Sequence, residues 1–307
     1  DIRIFFQFLL DENPAFKDYK MTDFTVDVLD QIKALDLEEY QEYLKVYQAG
    51  DKTETNGERG LKRKISALRS FYAYYYRREM IETNPTVLID VPKIHDKSII
   101  RLDTDEVALL LDYIEHCGDQ LTGQKRVYYE KNKERDLAIV TLLLGTGIRV
   151  SECVGLDIED VDFKNNGIKV TRKGGNEMVV YFGPEVEKAL KRYLEVRENI
   201  IPLEGHEHAL FYSAQRRRIG VQAIENLVKK YSQQITTTKK ITPHKLRSTY
   251  GTALYQETGD IYLVADVLGH KDVNTTKKHY AAQADSRRRM AAKAVRLREK
   301  QPDSEEE

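Results

Sequence analysis

The side chains best suited to phosphate chemistry in this chain are a histidine and an arginine one helical turn apart. His244 and Arg247 follow Thr242–Pro243, a pair typical of a helix start, so the imidazole and the guanidinium share one face. Both groups bind phosphate oxygens, and the guanidinium is permanently charged. Alone, such a pair also occurs by chance.

A second arginine stands at a tight turn. Gly145–Gly147 ends an apolar helix predicted over 136–145, and the turn presents Arg149, with Glu152 in the helix that follows. The segment is a poor nucleotide loop, because it lacks the third glycine of a dinucleotide fingerprint and the chain has no P-loop Gly-Lys-Ser/Thr. A purely structural role is the simpler alternative for a lone arginine.

Two further candidates lie toward the C-terminus. His270 follows Leu268–Gly269 at a predicted helix end, and Tyr280 comes ten residues later in the basic segment 277–280. Taken singly, each has an ordinary structural explanation: a histidine that caps a helix and a half-buried tyrosine.

Metal, thiol and membrane chemistry are not indicated. His206 and His208 have no third ligand at a usable spacing. Cys117 and Cys153 are too few for a disulfide framework, which favours a reducing environment. No run approaches 18 apolar residues. The sequence therefore predicts a soluble, cytoplasmic protein that holds no metal and contacts no membrane.

Charge is distributed unevenly along the chain. The 307 residues are 41% apolar and 32% charged, and their formal net charge is -1. Residues 212–300, however, contain 19 Lys and Arg against 7 Asp and Glu. Such segregation indicates a polyanionic partner such as nucleic acid, although a solvated face is the commoner cause.

Hydrophobic periodicity predicts a mainly α protein with one small β hairpin. The first 90 residues are predicted to be all-helical, at 24–33, 36–49 and 58–81, after a helix that has already begun at residue 2. A polar stretch, 118–135, precedes the apolar helix. Strand patterns at 168–171 and 178–182 flank Lys173-Gly-Gly-Asn176, which has the composition of a hairpin turn. Further helical patterns cover 185–200, 220–233, 246–257, 260–268, 272–282 and 285–299.

The helix predicted over 58–81 combines basic and aromatic residues. Lys and Arg neutralise phosphates, so this helix is a candidate for a DNA groove. An ordinary amphipathic helix with solvated charges is an equal alternative. The predicted DNA contacts are Arg59, Lys62, Arg63, Arg69, Lys239, Lys240 and Lys245.

Together these motifs resemble the ordered signature of the tyrosine recombinases, the phage integrase family. The elements, in chain order, are Leu144-Gly-Thr-Gly-Ile-Arg-Val-Ser-Glu152, Thr171-Arg-Lys-Gly-Gly175, Thr242-Pro-His-Lys-Leu-Arg-Ser-Thr249, Leu268-Gly-His-Lys-Asp272 and Tyr280. The chain is most similar to mobile-element integrases and Xer-type recombinases.

The resemblance implies a two-domain clamp around DNA. Residues 1–92 would form a helical, SAM-like core-binding domain, trimmed at its N-terminus, and 93–100 a linker. Residues 101–284 would form the catalytic domain. Residues 285–307 would supply a helix, offered to a neighbouring protomer or folded back on its own domain, and an acidic tail.

The resemblance also implies the chemistry. Tyr280 would attack the scissile phosphate and form a 3'-phosphotyrosyl bond, without metal, ATP or another cofactor. Many relatives place this tyrosine nine residues after the histidine and others ten; Tyr280 is the only tyrosine in the segment. The implied catalytic set is His244 as base, Lys173 as acid, Arg149, Arg247 and His270 as phosphate ligands, and Glu152 as an accessory residue.

The implied function is the integration and excision of a mobile element through a Holliday junction. Double-stranded recombination sites would be the substrate, a homotetramer the active form, and a DNA-bending or excision factor an accessory partner, in the bacterial cytoplasm at the nucleoid. The alternatives are a type IB-like DNA relaxation enzyme and a non-catalytic DNA-binding regulator on the same scaffold.

Overall fold

The computed structural model describes residues 1–94, 99–172, 174–270, 272–274 and 276. The chain divides into two compact units, Asp1–Ser98 and Ile99–Glu307. Each unit has its own hydrophobic core.

In the part of the first unit that the structure describes, three helices enclose an aromatic core. They are α1 (Ile2–Glu12), α2 (Ala34–Tyr43) and α3 (Glu58–Tyr76). Phe5 of α1 packs edge-on against Tyr40 of α2, with ring centroids 4.9 Å apart, and both side chains are at most 1% exposed. Short 3-10 turns occupy Pro14–Phe16, Met21–Asp23, Val26–Gln31 and Pro85–Val87.

The prediction that the first 90 residues are all-helical is wrong in part: the helix predicted over 36–49 ends at Tyr43, and the helix predicted over 58–81 ends at Tyr76. The segment that follows α2 forms an antiparallel hairpin, β1 (Val46–Ala49) with β2 (Lys52–Thr55). Its two-residue loop begins at Gly50, which has φ 64, and tight hairpin loops favour glycine at such positions. Both strands are almost wholly exposed, so no buried face marks them in the sequence.

The second unit is organised around one long helix, α5. Its elements include α4 (Thr104–His116), α5 (Gly123–Thr146), α7 (Pro184–Arg197), α8 (Val221–Ile235) and α9 (Pro243–Thr258). The C-terminal half of α5 contacts α7 and α9, and its residues 137–143 are at most 7% exposed. A helix with neighbours on all sides has an apolar run like the one in the sequence, which only Thr141 interrupts.

The predicted polar stretch 118–135 is mostly helix, because α5 begins at Gly123. Buried polar side chains conceal its periodicity. Arg135, 9% exposed, pairs with Asp136 at 2.6 Å and donates to the Tyr212 carbonyl at 3.1 Å. Asp136 also accepts from the Tyr231 hydroxyl at 2.9 Å. These bonds satisfy buried groups that a polarity pattern assigns to solvent.

The hairpin predicted near residue 173 is confirmed and has a third strand. Strands β3 (Val161–Asp162), β4 (Gly167–Thr171) and β5 (Glu177–Tyr181) form one antiparallel sheet in that order. Val170 stands opposite Met178, and the alternate residues of β4 are buried in the core of the unit. The sequence did not predict β3, which has two residues.

The second unit also contains two short helices, α6 (Val150–Gly155) and α10 (Ile261–Leu268). The helix stop predicted at the end of α5 is confirmed, because Gly147 is left-handed with φ 63. Gly269, after α10, has φ 61. These two turns carry Arg149 and His270.

Gly147 allows a direct test of the first turn. A Cβ at this position would lie 2.3 Å from Tyr250 Cδ1 and 2.9 Å from Leu268 Cδ2, at a backbone conformation that alanine disfavours. Gly147→Ala is therefore expected to lower the free energy of unfolding by about 1–3 kcal/mol. Urea unfolding measures the change. Gly155→Ala is the matched control, since its Cβ meets nothing within 4 Å; equal losses in both variants would contradict the account.

Among the described residues, no helix is long and apolar enough to cross a membrane, and no group of three His, Cys, Asp or Glu side chains is arranged to hold a metal. His208 Nδ1 lies instead 2.7 Å from Glu159. Cys153 is 1% exposed, and burial raises the pKa of its thiol to about 12. This cysteine is therefore an unreactive core residue.

Candidate active site

Three arginines from separate parts of the second unit meet at the C-terminal end of α10. Arg172, Arg247 and Arg149 donate to three successive backbone carbonyls, those of Val267–Gly269 in that order. The Arg172 bond measures 2.7 Å and the Arg149 bond 3.3 Å. The last carbonyls of a helix lack intrahelical donors and carry partial negative charge, so they suit cations. We call Arg149, Arg172 and Arg247 the arginine cluster. The three residues whose carbonyls it binds directly precede His270.

Arg149 is held in place by Glu152. Arg149 stands at the N-terminal cap of α6; its backbone N–H donates to Glu152 Oε2 at 2.8 Å, and Nη1 lies 2.7 Å from Oε1. The Glu152 side chain is 3% exposed, whereas the Arg149 side chain is 37% exposed. A buried carboxylate thus orients a guanidinium that solvent, and hence a substrate, can reach.

Arg247, unlike Arg149, is buried. It is 4% exposed on α9, and its Nη1 donates to the carbonyl of Gly147 while Nη2 donates to that of Leu268. The side chain therefore joins the turn that precedes Arg149 to the end of α10. Although these turns are far apart in sequence, Arg247 bonds to both, and Arg149 adds a further link through the Gly269 carbonyl.

His270 is oriented by a threonine. Its backbone N–H donates to the Ala265 carbonyl at 2.9 Å, and its Nδ1 lies 2.6 Å from Oγ1 of Thr276, which is fully buried. A hydrogen bond to one ring nitrogen fixes the ring and selects its tautomer. Sequence reasoning missed Thr276, since a threonine six residues away belongs to no recognisable motif.

The remaining predicted catalytic residues are placed only in part. His244 lies exposed in the first turn of α9, one turn before Arg247. Lys173 and Tyr280 lie outside the described residues, as does the predicted C-terminal helix 285–299. The structure thus brings Arg149, Arg247 and His270 together. The sequence assigned no role to Arg172. Only the fold shows that it lies with Arg149 and Arg247, since all three donate to carbonyls of the same turn.

The predicted DNA contacts on α3 fall into two groups. Arg59, Lys62 and Arg63 are exposed, and Arg63 pairs with Asp1 at 2.6 Å. Arg69 instead donates to the carbonyl of Thr86 at 3.1 Å and to that of Ile89 at 2.6 Å. A DNA contact by Arg69 would compete with these bonds, which hold the segment after α3.

The predicted contacts near α9 differ in the same way. Lys239 lies 2.9 Å from Asp103 and 2.5 Å from Glu106, and these two carboxylates raise the pKa of its ammonium group. Lys240 is exposed and Lys245 is half-buried. Lys239 therefore has two partners at the start of α4 that a phosphate would have to displace.

The sequence of the second unit also matches a known protein family. Residues 101–287 match the model of the phage integrase family. The chain belongs to this family and is a tyrosine recombinase.

Two relatives show how far the similarity extends. Tyrosine recombinase XerS of Lactococcus lactis subsp. cremoris is 34% identical over 297 residues, which cover 89% of this chain and 82% of the relative. Tyrosine recombinase XerC of Caldanaerobacter subterraneus subsp. tengcongensis is 32% identical over 288 residues, which cover 90% and 74%. The similarity thus extends over both units.

Solved structures share the fold. A post-cleavage complex of the XerH site-specific recombinase with a palindromic difH substrate has a TM-score of 0.67 at 21% identity, covering 87% of this chain and 73% of that one. The Tn1549 transposon integrase with circular intermediate DNA has a TM-score of 0.65 at 21% identity, covering 91% and 89%. The mainly helical architecture with small antiparallel sheets is therefore a tyrosine recombinase fold.

Proposed function

We propose that this chain exchanges DNA strands at specific sites, cleaving and rejoining them through a phosphotyrosyl bond to Tyr280. The observation that carries the proposal is the convergence of Arg149 and Arg247 on adjacent carbonyls beside His270. Two guanidinium groups and an imidazole at one point form a site for a phosphodiester. The family supplies the nucleophile that such a site requires.

The reaction has two balanced halves. Tyr280 Oη bonds to phosphorus as the bond from phosphorus to the 5'-oxygen breaks; His244 accepts the phenolic proton and Lys173 protonates the departing oxygen. The phosphoester energy is kept in the phosphotyrosyl bond. Attack by a 5'-hydroxyl of the partner strand reverses the steps and releases Tyr280.

Arg149, Arg247 and His270 serve the transition state. The pentavalent phosphorane has more negative charge on its non-bridging oxygens than the ground state has, so preorganised donors bind it more strongly. Glu152 holds Arg149 ready for that geometry. The guanidinium groups supply the positive charge in this mechanism, and a strict requirement for a divalent metal would contradict it.

The assembly follows from the reaction. Exchange between two double-stranded sites requires four cleavages, one by each protomer of a homotetramer, and residues 285–307 would link neighbours. The exposed basic residues of α3 would contact DNA backbone from the core-binding domain, 1–92, and 101–284 would form the catalytic domain. A DNA-bending or excision factor is the proposed accessory partner, and the nucleoid in the cytoplasm the proposed location.

The biological reaction that we propose is the integration and excision of a mobile element. DNA relaxation without exchange is the competing reaction, since it needs the same phosphotyrosyl step. Incubation of two labelled DNA sites with the protein, in EDTA, separates the two. Joined products containing DNA from both sites are expected; relaxation of a supercoiled plasmid without joined products would contradict recombination.

Lys62 and Arg69 provide a test of the proposed DNA face of α3. Lys62→Ala is expected to weaken DNA binding, with a salt slope reduced by about one ion, and to leave stability unchanged, because its head is exposed. Arg69→Ala is expected to lower the free energy of unfolding by about 1–3 kcal/mol, since two carbonyls lose a charged donor. Fluorescence anisotropy and urea unfolding measure both quantities. The opposite pattern would place Arg69, and not Lys62, on DNA.

A further inference from the structure

Arg172 occupies an unusual position in the arginine cluster. It lies at the end of β4, and its Nη2 donates to the Val267 carbonyl at 2.7 Å. Within the described part of the chain, its Nε and Nη1 atoms are buried and have no hydrogen-bond partner. Buried charged donors without partners cost free energy, so their retention calls for a compensating role.

The same guanidinium lies against the turn that carries His270. A Cβ on residue 269 would overlap Arg172 Nη1, and Gly269 is left-handed with φ 61, so any other residue here would strain the backbone and displace the guanidinium. Arg172 therefore contacts this turn at two points: the carbonyl of Val267 and the Cα side of Gly269. The carbonyl of Gly269 in turn accepts from Arg149.

Arg172 also interacts electrostatically with Glu152 and Arg149. Burial lowers the pKa of its guanidinium, while Glu152 raises it and Arg149 lowers it further. The carboxylate that orients Arg149 thus also acts on Arg172. A cation that donates to the carbonyl of Val267 and lies against Gly269, directly before His270, has the position from which it can set the geometry of this turn.

We infer that Arg172 is a positioning residue, which fixes the turn 267–270 so that His270 and Arg149 face the scissile phosphate together. It acts through the backbone of this turn and does not itself bind DNA. The inference rests on the proposed strand-exchange function and assigns a role in it to Arg172, a residue of the signature segment Thr171–Gly175 to which the resemblance gave no role.

A double-mutant cycle tests this role, because residues that act through one another are not additive. The measurement is the single-turnover rate of covalent adduct formation on a nicked suicide substrate. Arg172→Ala is expected to slow wild-type cleavage by about tenfold or more. In a His270→Ala background the same change is expected to cost less than about threefold. DNA affinity, measured by anisotropy, is expected to stay within about twofold of wild type.

Lys169→Ala is the matched control, since Lys169 lies on the same strand, is half exposed, and pairs only at the surface with Asp160 and Glu177. It is expected to cleave like the wild type. If Arg172→Ala does not fold, as judged by circular dichroism, Arg172→Gln, which keeps an N–H donor, replaces it in the cycle. Full additivity with His270→Ala, an unchanged rate, or a loss confined to DNA affinity would each overturn the inference.

A different result would show that the proposed function itself is wrong. If the wild-type protein forms no covalent adduct at all, strand exchange is wrong and the cycle has no rate to compare. If the wild type forms the adduct and Arg172→Ala matches it, only the positioning role is wrong.

Discussion

Replacement of Arg149 by glutamine is expected to slow DNA cleavage by about 10²–10³-fold, which corresponds to about 2.7–4 kcal/mol of transition-state stabilisation. The amide keeps a donor toward Glu152, so the buried carboxylate retains a partner and α6 keeps its cap. What is lost is the charged fork that we propose binds the phosphate. DNA affinity is expected to fall far less than the cleavage rate, because the interaction strengthens in the transition state.

Arg247→Gln is the informative comparison. Arg149 is 37% exposed at its side chain, whereas Arg247 is 4% exposed and joins the carbonyls of Gly147 and Leu268. The Arg247 variant is therefore expected to lose stability as well as cleavage, and the Arg149 variant cleavage alone. Single-turnover rates and urea unfolding of both variants separate the effects. Arg217→Gln, at an exposed loop arginine, is the control. Cleavage by Arg149→Gln at the wild-type rate would remove this residue from the mechanism.

The sequence predicted the turns of the site better than its interior. The glycine stop after α5, the cap residue Arg149 and its partner Glu152 follow from local spacing, because caps and left-handed glycines are encoded within a few residues. The same holds for the glycine hairpin between β4 and β5. Local rules suffice where the partners are near neighbours in sequence.

The sequence did not predict two kinds of element: those whose polar residues are buried against distant parts of the chain, and those with no buried face. The β1 and β2 hairpin has no buried face, and α5 carries polar side chains before residue 137, such as Arg135, which donates to the carbonyl of Tyr212, 77 residues away. The part of Arg172 in the arginine cluster depends on the approach of β4 to α10, which no periodicity encodes. Such contacts require the tertiary fold.

The basic third of the chain has a clearer meaning once its members are placed. Residues 212–300 contain Arg247 and His270, but Lys239 in the same stretch is paired with two carboxylates, and Arg218 pairs with Asp157. A charge count alone therefore overstates the surface available to DNA. The basic residues of this stretch that remain exposed are the ones available to DNA. The salt dependence of DNA binding measures how many of them contact phosphates.

Tyr280→Phe is expected to abolish covalent attachment, a loss of more than about 10⁴-fold, because the substitution removes the one oxygen that bonds to phosphorus. DNA binding is expected to persist, since a phenyl ring keeps the size and apolar surface of the side chain. The variant therefore separates chemistry from recognition.

The most direct measurement is covalent capture on a suicide substrate nicked beside the scissile phosphate, which lets the cleaved end diffuse away and traps the intermediate. Wild type, Tyr280→Phe and the control Tyr262→Phe, whose side chain is 71% exposed on α10, are compared on a denaturing gel in EDTA. We expect a protein–DNA adduct from the wild type and from Tyr262→Phe, and none from Tyr280→Phe. An undiminished adduct from Tyr280→Phe, or none from the wild type, would contradict this expectation.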